Sequence, residues 1–284
     1  MKQLMDVLLP LYAEGEARAM ARIALEDAFA CSTTDIYADK VRQFSVEDER
    51  LWTNILQRLA EGWPVQYAVG RARFCDMLFE VDPSTLIPRP ETEQLVAIAS
   101  ACIDRLVQSG RPASSLRILD AGTGSGCIAI CLKRQWREAT VEAWDIDEAT
   151  LSVARRNADR LDATVDFKRC DILSYEPAGA PFDVIVSNPP YVLESERSSM
   201  EANVLDYEPE RALFVPNDDP LLFYRALARL SADGLLRQGG FLAVETNREF
   251  AGEVCEVFTS FGIGSAVEKD FVGNERFVWG DKKL

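Results

Sequence analysis

The sequence predicts an α/β fold, in which a doubly wound, mostly parallel sheet of seven strands follows a small helical domain. From about residue 94 onward, short β-branched apolar runs alternate with longer amphipathic segments. This βαβ pattern is typical of a parallel sheet with helices on both of its faces. Residues 1 to about 62 show helical periodicity and no strand signal. The length of 284 residues accommodates one large domain or two smaller ones.

The N-terminal part is predicted to consist of helices. Apolar residues from Leu4 to Tyr12 recur at helical spacing, and the segment from Ala17 to Ala30 is rich in alanine, which favours helix. Ser45, followed three residues later by Asp48, is typical of a capping box at the start of a further helix. This part is either a docking module for a substrate or a lid and packing unit without chemistry of its own.

A hairpin and a linker connect the helical part to the sheet. Weak alternation from Arg73 to Val81 predicts a short hairpin around Asp76 and Met77. Pro90 and the acidic residues behind it suit the first turn of a helix. We therefore predict three parts, which are a helical domain (1–70), a hairpin and linker (71–93) and an α/β domain (94–284).

The α/β domain contains the elements of the predicted sheet. Its predicted strands are 116–120, 140–144, 165–167, 182–187, 240–245, 264–271 and 276–279, and its predicted helices are 128–136, 148–161 and 221–230. The last two strands are expected to be antiparallel.

A glycine-rich loop, Asp-Ala-Gly-Thr-Gly-Ser-Gly from Asp120 to Gly126, joins the first strand of this domain to its helix. Glycines let the backbone approach a ligand closely, and the helix that follows offers free N–H groups. The spacing G-x-G-x-G differs from the dinucleotide fingerprint. Asp145 closes the next strand, where a carboxylate can hold ribose hydroxyls. Together the glycine loop and Asp145 favour a nucleoside-type cofactor over a purely structural turn. Asp171 either accepts a hydrogen bond from an adenine amino group or is an ordinary turn aspartate.

The fourth strand ends in Ser-Asn-Pro-Pro-Tyr, residues 187–191. Prolines have no N–H, so Pro189 and Pro190 offer only accepting carbonyls, and Pro190 pushes its predecessor into an extended conformation. We call residues 188–191 the Asn-Pro-Pro-Tyr hook, because they form a stiff group of acceptors beside an aromatic ring. The same residue types also serve as ordinary turn formers.

Composition excludes several classes of chemistry. The chain has no histidine, which rules out a histidine base and a histidine-ligated metal. Its seven cysteines form no C-x-x-C pair, so we predict reduced thiols and no metal site. The net charge of −15, from 31 basic and 46 acidic residues, opposes independent binding to nucleic acid. No membrane-length apolar run and no signal peptide is visible, so a cytoplasmic location is expected.

Further motifs accompany the glycine loop and the hook. They are Gln66-Tyr67, Gly70, Ile-Pro-Arg-Pro-Glu-Thr-Glu at 87–93, Tyr-Glu-Pro at 207–209 and Gly-Asn-Glu-Arg at 273–276. With them, the chain from about residue 64 onward resembles the PrmC/HemK family of peptide chain release factor glutamine methyltransferases, which are class I S-adenosylmethionine-dependent methyltransferases. Two departures from the family pattern are Ala121, in place of a larger apolar residue, and residues 245–247, in place of a glycine-containing strand end.

The resemblance implies a Rossmann-like methyltransferase fold and transfer of a methyl group from S-adenosyl-L-methionine to the side-chain nitrogen (N5) of the glutamine in the Gly-Gly-Gln motif of release factors. The residues that it implies for the cofactor are Gly122, Thr123, Gly124, Ser125, Gly126, Asp145, Ile172 and Asn188. The implied substrate residues are Asn188, Pro189, Pro190 and Tyr191, of which Asn188, Pro189 and Tyr191 are the predicted catalytic residues. The enzyme is expected to act as a monomer on a protein partner, without metal, nucleic acid or membrane.

These residues suit a poor nucleophile. The lone pair of a carboxamide nitrogen is shared with its carbonyl. We expect the Asn188 side-chain oxygen and the Pro189 carbonyl each to accept one amide N–H, while Tyr191 stacks on the flat amide. The alternatives left open are glutamine methylation of a ribosomal protein, methylation of an exocyclic amine on a nucleic acid base, and a non-catalytic binder with a vestigial pocket.

Overall fold

The computed structural model describes residues 1–37 and 45–283. The prediction of helices over residues 1 to about 62 therefore includes a part, residues 38–44, that lies outside the described residues. None of the helices in the described ranges combines the length and the apolar character that crossing a membrane requires.

Helices make up the described N-terminal part, and they share an apolar core of their own. They are α1 (Lys2–Leu8), α2 (Glu14–Phe29), α3 (Thr33–Tyr37), α4 (Val46–Ala60) and α5 (Val65–Val69). The Ser45 hydroxyl accepts the Asp48 N–H at 3.1 Å, and the Asp48 carboxylate accepts the Ser45 N–H at 3.0 Å, which confirms the capping box. The first helix is shorter than predicted and ends at Leu8, because Pro10 has no N–H to continue the helical hydrogen bonds.

A β-hairpin with a two-residue turn follows, and its strands are β1 (Arg71–Phe74) and β2 (Met77–Glu80). Its turn residues are Cys75 and Asp76, with φ of 47° and 58°, a geometry that matches the twist of paired strands. The hairpin is thus confirmed, but its turn lies one residue earlier than predicted, because Met77 pairs with Phe74 in the ladder.

Helix α6 (Thr92–Gln108) follows, and after it comes the half of the sheet in which strands and helices alternate along the chain. The elements are β3 (Arg117–Ala121), α7 (Cys127–Gln135), β4 (Thr140–Asp145), α8 (Glu148–Arg160), β5 (Asp166–Arg169) and β6 (Phe182–Ser187). Each predicted strand and helix of this half is present, with small displacements of its ends. Every residue of β6 is buried, as expected for a central strand that is covered on both faces.

A connecting segment, residues 192–215, follows the hook. It contains β7 (Val192–Leu193), α9 (Ala202–Tyr207), α10 (Glu210–Leu213) and β8 (Phe214–Val215). The Tyr207 ring packs on Trp63 of the helical part at 4.5 Å between centroids. The Glu208 carboxylate accepts the Ile87 N–H at 3.2 Å and pairs with Arg89 at 2.5 Å. The segment therefore joins the helical part and the linker to the sheet.

The chain ends with α11 (Leu222–Leu230), β9 (Leu236–Glu245), α12 (Ala251–Ser260), β10 (Ile263–Lys269) and β11 (Glu275–Lys282). The antiparallel pair β10–β11 is confirmed. Strand β9 begins earlier than predicted, and α12 was not predicted from the sequence.

The seven strands have the order β10-β11-β9-β6-β3-β4-β5, and β11 alone runs antiparallel to the others. This topology confirms the predicted doubly wound, mostly parallel sheet. Chain order reverses between β3 and β6, and ligands of such sheets bind in the crevice outside the carboxyl ends of the strands at this point. The division into domains at residues 70 and 93 stays a prediction.

Candidate active site

A cavity of about 560 Å³ opens at the carboxyl ends of β3, β4 and β6, a size typical of small-molecule sites. Its walls include nine of the residues singled out in the sequence, namely Gly122, Thr123, Gly124, Ser125, Asp145, Ile172, Asn188, Pro189 and Pro190. Gly126 and Tyr191 are not part of its lining. The fold thus brings together around one cavity the glycine loop, Asp145 at the end of β4 and most of the hook.

The glycines of the loop have two different tasks. Gly122, Gly124 and Gly126 all have positive φ, of 77°, 55° and 83°. A Cβ added at either of the first two would meet no atom of the described chain within 4 Å, so both border open space. A Cβ at Gly126 would lie 3.1 Å from the Ile130 side chain and 3.2 Å from that of Ala154. This third glycine therefore allows α7 and α8 to pack closely.

Asp145 holds the glycine loop from the neighbouring strand. Its Oδ2 accepts the Gly124 N–H at 3.0 Å, and its Oδ1 accepts the Asp147 N–H at 3.0 Å. Burial raises the pKa of Asp145, and the two backbone hydrogen bonds oppose that rise. Each carboxylate oxygen keeps a further lone pair, which is available to a hydroxyl in the cavity.

Asp120 supports the loop from beneath. Its Oδ2 accepts the Thr123 hydroxyl at 2.6 Å and the Ala129 N–H at 3.1 Å. Its Oδ1 is buried and has no hydrogen-bond partner among the residues that the structure describes. Burial raises the pKa of Asp120 to about 7, because a low-dielectric surrounding disfavours the charged form of the carboxyl.

The raised pKa of Asp120 predicts that stability depends on pH. The folded state binds this proton more tightly than the unfolded chain, so the stabilisation is present at low pH and is lost as pH rises through about 7. Between about pH 6 and about pH 8, the free energy of unfolding is expected to fall by about 1.4 kcal/mol through this group. Urea denaturation at both pH values measures this change in the free energy of unfolding. Asp120→Asn should lose this part of the pH dependence, and an unchanged slope in the variant would contradict the assignment.

The hook presents two free acceptors. The Asn188 side-chain NH₂ donates to the Thr92 hydroxyl at 3.1 Å, which turns the amide oxygen away from Thr92. Within the described ranges, neither the Asn188 Oδ1 nor the Pro189 carbonyl oxygen accepts a hydrogen bond. Both residues line the cavity. The site therefore offers two adjacent acceptors to a ligand with two N–H groups.

Tyr191 is held at its hydroxyl, which donates to the Glu245 carboxylate at 3.0 Å. Its ring packs against the core cluster that contains Tyr224 and Val244. Burial and the negative charge of Glu245 raise the pKa of Tyr191 well above its usual range. The predicted stacking of this ring on a substrate amide stays a prediction.

Sequence reasoning missed Thr92 and Glu245 as neighbours of the hook. Thr92 lines the cavity and donates to Glu245 at 2.7 Å. Two signals were visible, because Thr92 lies in the Ile-Pro-Arg-Pro-Glu-Thr-Glu motif and Glu245 is an acid at the end of an apolar strand. The sequence did not show that these two positions meet.

The two parts of the chain match two family models, the PrmC N-terminal domain over residues 9–70 and the Methyltransferase small domain over residues 100–207. The release factor glutamine methyltransferase of Bacteroides thetaiotaomicron is 43% identical over 273 residues, which cover 95% of either chain. The chain belongs to the release factor glutamine methyltransferase family. This confirms the resemblance that the motifs carried.

Other comparisons agree with membership of this family. The release factor glutamine methyltransferase of Flavobacterium psychrophilum is 35% identical over 97% of this chain and 95% of its own. The crystal structure of a methyltransferase from Pyrococcus furiosus, at 21% identity, has the same fold, with a TM-score of 0.51 over 85% of this chain and 100% of that chain. The protein is therefore a methyltransferase, and S-adenosylmethionine is its methyl donor.

The residues of the cavity fit this cofactor. The open space beside Gly122 and Gly124 admits a ligand against the backbone, and the fixed Asp145 carboxylate is a suitable acceptor for ribose hydroxyls. Ile172 adds an apolar wall, and Asp171 adds a carboxylate whose Oδ1 accepts the Leu173 N–H at 2.9 Å. The assignment of residues 122–126, Asp145, Ile172 and Asn188 to the cofactor stays a prediction.

Proposed function

We propose that this enzyme transfers a methyl group to the side-chain amide nitrogen, N5, of the glutamine in the Gly-Gly-Gln motif of peptide chain release factors. The observation that carries the proposal is the pair of free acceptors on the hook, the Asn188 Oδ1 and the Pro189 carbonyl oxygen. A primary carboxamide has two N–H donors on one nitrogen, which is the donor pattern that this pair requires. The names of the relatives support release factors as the protein substrate.

The task of the hook is to position and polarise a weak nucleophile. S-adenosylmethionine, when bound, supplies a cationic sulfonium whose methyl group is transferred. Asn188 and Pro189 each accept one N–H and so fix the orientation of the NH₂ group, which can contribute several kcal/mol. The same two acceptors stabilise the positive charge that grows on the nitrogen. We propose that Tyr191, which is anchored through its hydroxyl, covers the amide plane of the substrate.

Proton removal requires no histidine, of which the chain has none. An amide nitrogen that has gained a methyl group is strongly acidic, so its proton passes to water.

The acidic character of the chain supports a basic protein as partner. The net charge of −15 opposes an RNA or DNA substrate and favours a positively charged domain such as one that works beside ribosomal RNA. We propose that a monomer of this enzyme binds the release factor directly. Association should then slow as salt rises, since salt screens the attraction.

One methyl-transfer assay tests the proposal. Radiolabelled S-adenosylmethionine is supplied with a release factor, ribosomal proteins and nucleic acid in parallel reactions. We expect label on the release factor alone, and none on a matched release factor in which glutamate replaces the motif glutamine. Label on a ribosomal protein or on nucleic acid, or label that persists on the glutamate variant, would contradict the proposal.

A further inference from the structure

We infer that Thr92 and Glu245 are positioning residues, which fix the orientation of the Asn188 side-chain amide so that its oxygen faces the substrate. The inference rests on the proposed function of the hook, and it assigns a task to the strand end at Glu245, where the sequence departs from the family pattern.

The three side chains form one hydrogen-bonded series. The Asn188 Nδ2 donates to the Thr92 Oγ1 at 3.1 Å, and the Thr92 Oγ1 donates to the Glu245 Oε2 at 2.7 Å. The other carboxylate oxygen, Oε1, accepts the Tyr191 hydroxyl at 3.0 Å. One carboxylate therefore contacts both ends of the hook, directly at Tyr191 and through Thr92 at Asn188.

The number of protons on the Thr92 hydroxyl determines which atoms of the series donate and which accept. A hydroxyl has one proton, and Thr92 donates its proton to Glu245. The Thr92 oxygen can then only accept from Asn188, so it must face the NH₂ group of the amide. With the amide reversed, two oxygen acceptors would face each other without a proton between them, and a buried acceptor would lose its partner. The charge on Glu245 thus determines which end of Asn188 is free.

The surroundings of Glu245 keep it an acceptor. The residue is 1% exposed and lies at the end of β9. Burial raises its pKa, while the donors Thr92 and Tyr191 and the positive charge of Arg276 oppose the rise. Arg276 is held in turn by Asp270 at 3.1 Å. The carboxylate thus has two hydroxyl donors and a nearby cation, which is the environment of an ionised acceptor.

The register of the sheet explains why these residues meet. Strands β6 and β9 are parallel neighbours in which Ser187 pairs with Val244. The next residues along the two chains are Asn188 and Glu245, so both lie at the same edge of the sheet. Thr92 begins α6 and reaches the space between them.

Thr92→Val tests the inference, because valine keeps the shape of threonine and removes the hydroxyl. The turnover number for methylation of a release factor should fall about ten-fold, the worth of one hydrogen bond. The affinity for S-adenosylhomocysteine, measured by calorimetry, should stay within about two-fold, since no cofactor contact is removed. Thr92→Ser, which restores the hydroxyl, should recover most of the lost rate.

Glu245→Gln tests the direction of the series. A glutamine can present its NH₂ to Thr92, which lets the hydroxyl turn toward Asn188 and the amide reverse. We expect a loss of turnover similar to that of Thr92→Val and a double variant no slower than the slower single one, because both changes release the same amide. A second readout is calorimetric binding of a Gly-Gly-Gln peptide to the complex with S-adenosylhomocysteine, which should weaken in parallel.

Three kinetic outcomes would overturn the inference. They are a Thr92→Val rate within two-fold of wild type, a serine variant as slow as the valine variant, and fully additive losses in the double variant. A parallel loss of cofactor affinity and thermal stability would show a merely structural role and would also overturn it. Failure of the proposed function is distinguishable, because the wild-type enzyme would then leave the release factor unlabelled.

Discussion

Asn188→Ala is expected to lower the turnover number for release factor methylation by about 100-fold to 1000-fold, the range seen when one preorganised hydrogen-bond partner of a reacting group is removed. The side chain supplies one of the two free acceptors in the cavity, and the alanine variant leaves the substrate NH₂ without orientation on that side. The main chain of the glycine loop and Asp145 is untouched, so the affinity for S-adenosylhomocysteine should change by no more than a few-fold. Steady-state kinetics and calorimetry give the two quantities separately.

Asn217→Ala is the matched control, because Asn217 follows β8, accepts the Ser195 N–H through its side-chain oxygen and does not line the cavity. This control should retain wild-type turnover. The role given to Asn188 is wrong if its alanine variant methylates a release factor within a few-fold of the wild-type rate.

Asp145→Ala is expected to weaken binding of S-adenosylhomocysteine by about 100-fold, since hydrogen bonds to a charged group contribute about 1.5–3 kcal/mol. The substitution removes the predicted acceptor for ribose hydroxyls. It also removes the acceptor of the Gly124 N–H, so the glycine loop loses its link to β4. Calorimetric titration measures the affinity directly and needs no protein substrate.

Asp166→Ala provides the comparison, because Asp166 is an exposed acid of β5 that pairs with Lys168 outside the cavity. The Asp166→Ala variant should bind S-adenosylhomocysteine with the affinity of the wild-type enzyme. Equal affinities for wild type and Asp145→Ala would remove Asp145 from the cofactor site.

The sheet was predictable because each of its elements carries a local signal. Strand β6 is buried at every position and contains the apolar run 184–186, and the glycine loop marks the passage from β3 to α7. Parallel connection of such units leaves few topologies, so the carboxyl ends that carry Asp145 and Asn188 were bound to lie on one edge. The same argument explains why Asp145 and Asn188 line one cavity.

Contacts that depend on three-dimensional register were not predictable. Thr92 and Glu245 are hydrogen-bonded although they are far apart in sequence, and no local pattern marks the pair. The packing role of Gly126 depends on how closely α8 approaches α7, which spacing within the loop does not reveal. The elements of the connecting segment are too short to show a period, so the contact between Tyr207 and Trp63 had no periodic signal.

The ion pair between Arg89 and Glu208 has an electrostatic consequence for ligand entry. Arg89 belongs to the wall of the cavity that we predict to bind the positively charged sulfonium, and a lone guanidinium there would repel that cation. The carboxylate of Glu208, buried at 2.5 Å from the guanidinium, cancels that charge at short range. The cavity wall thus keeps an arginine whose own positive charge is offset by its partner, so that this side chain repels an incoming cation less.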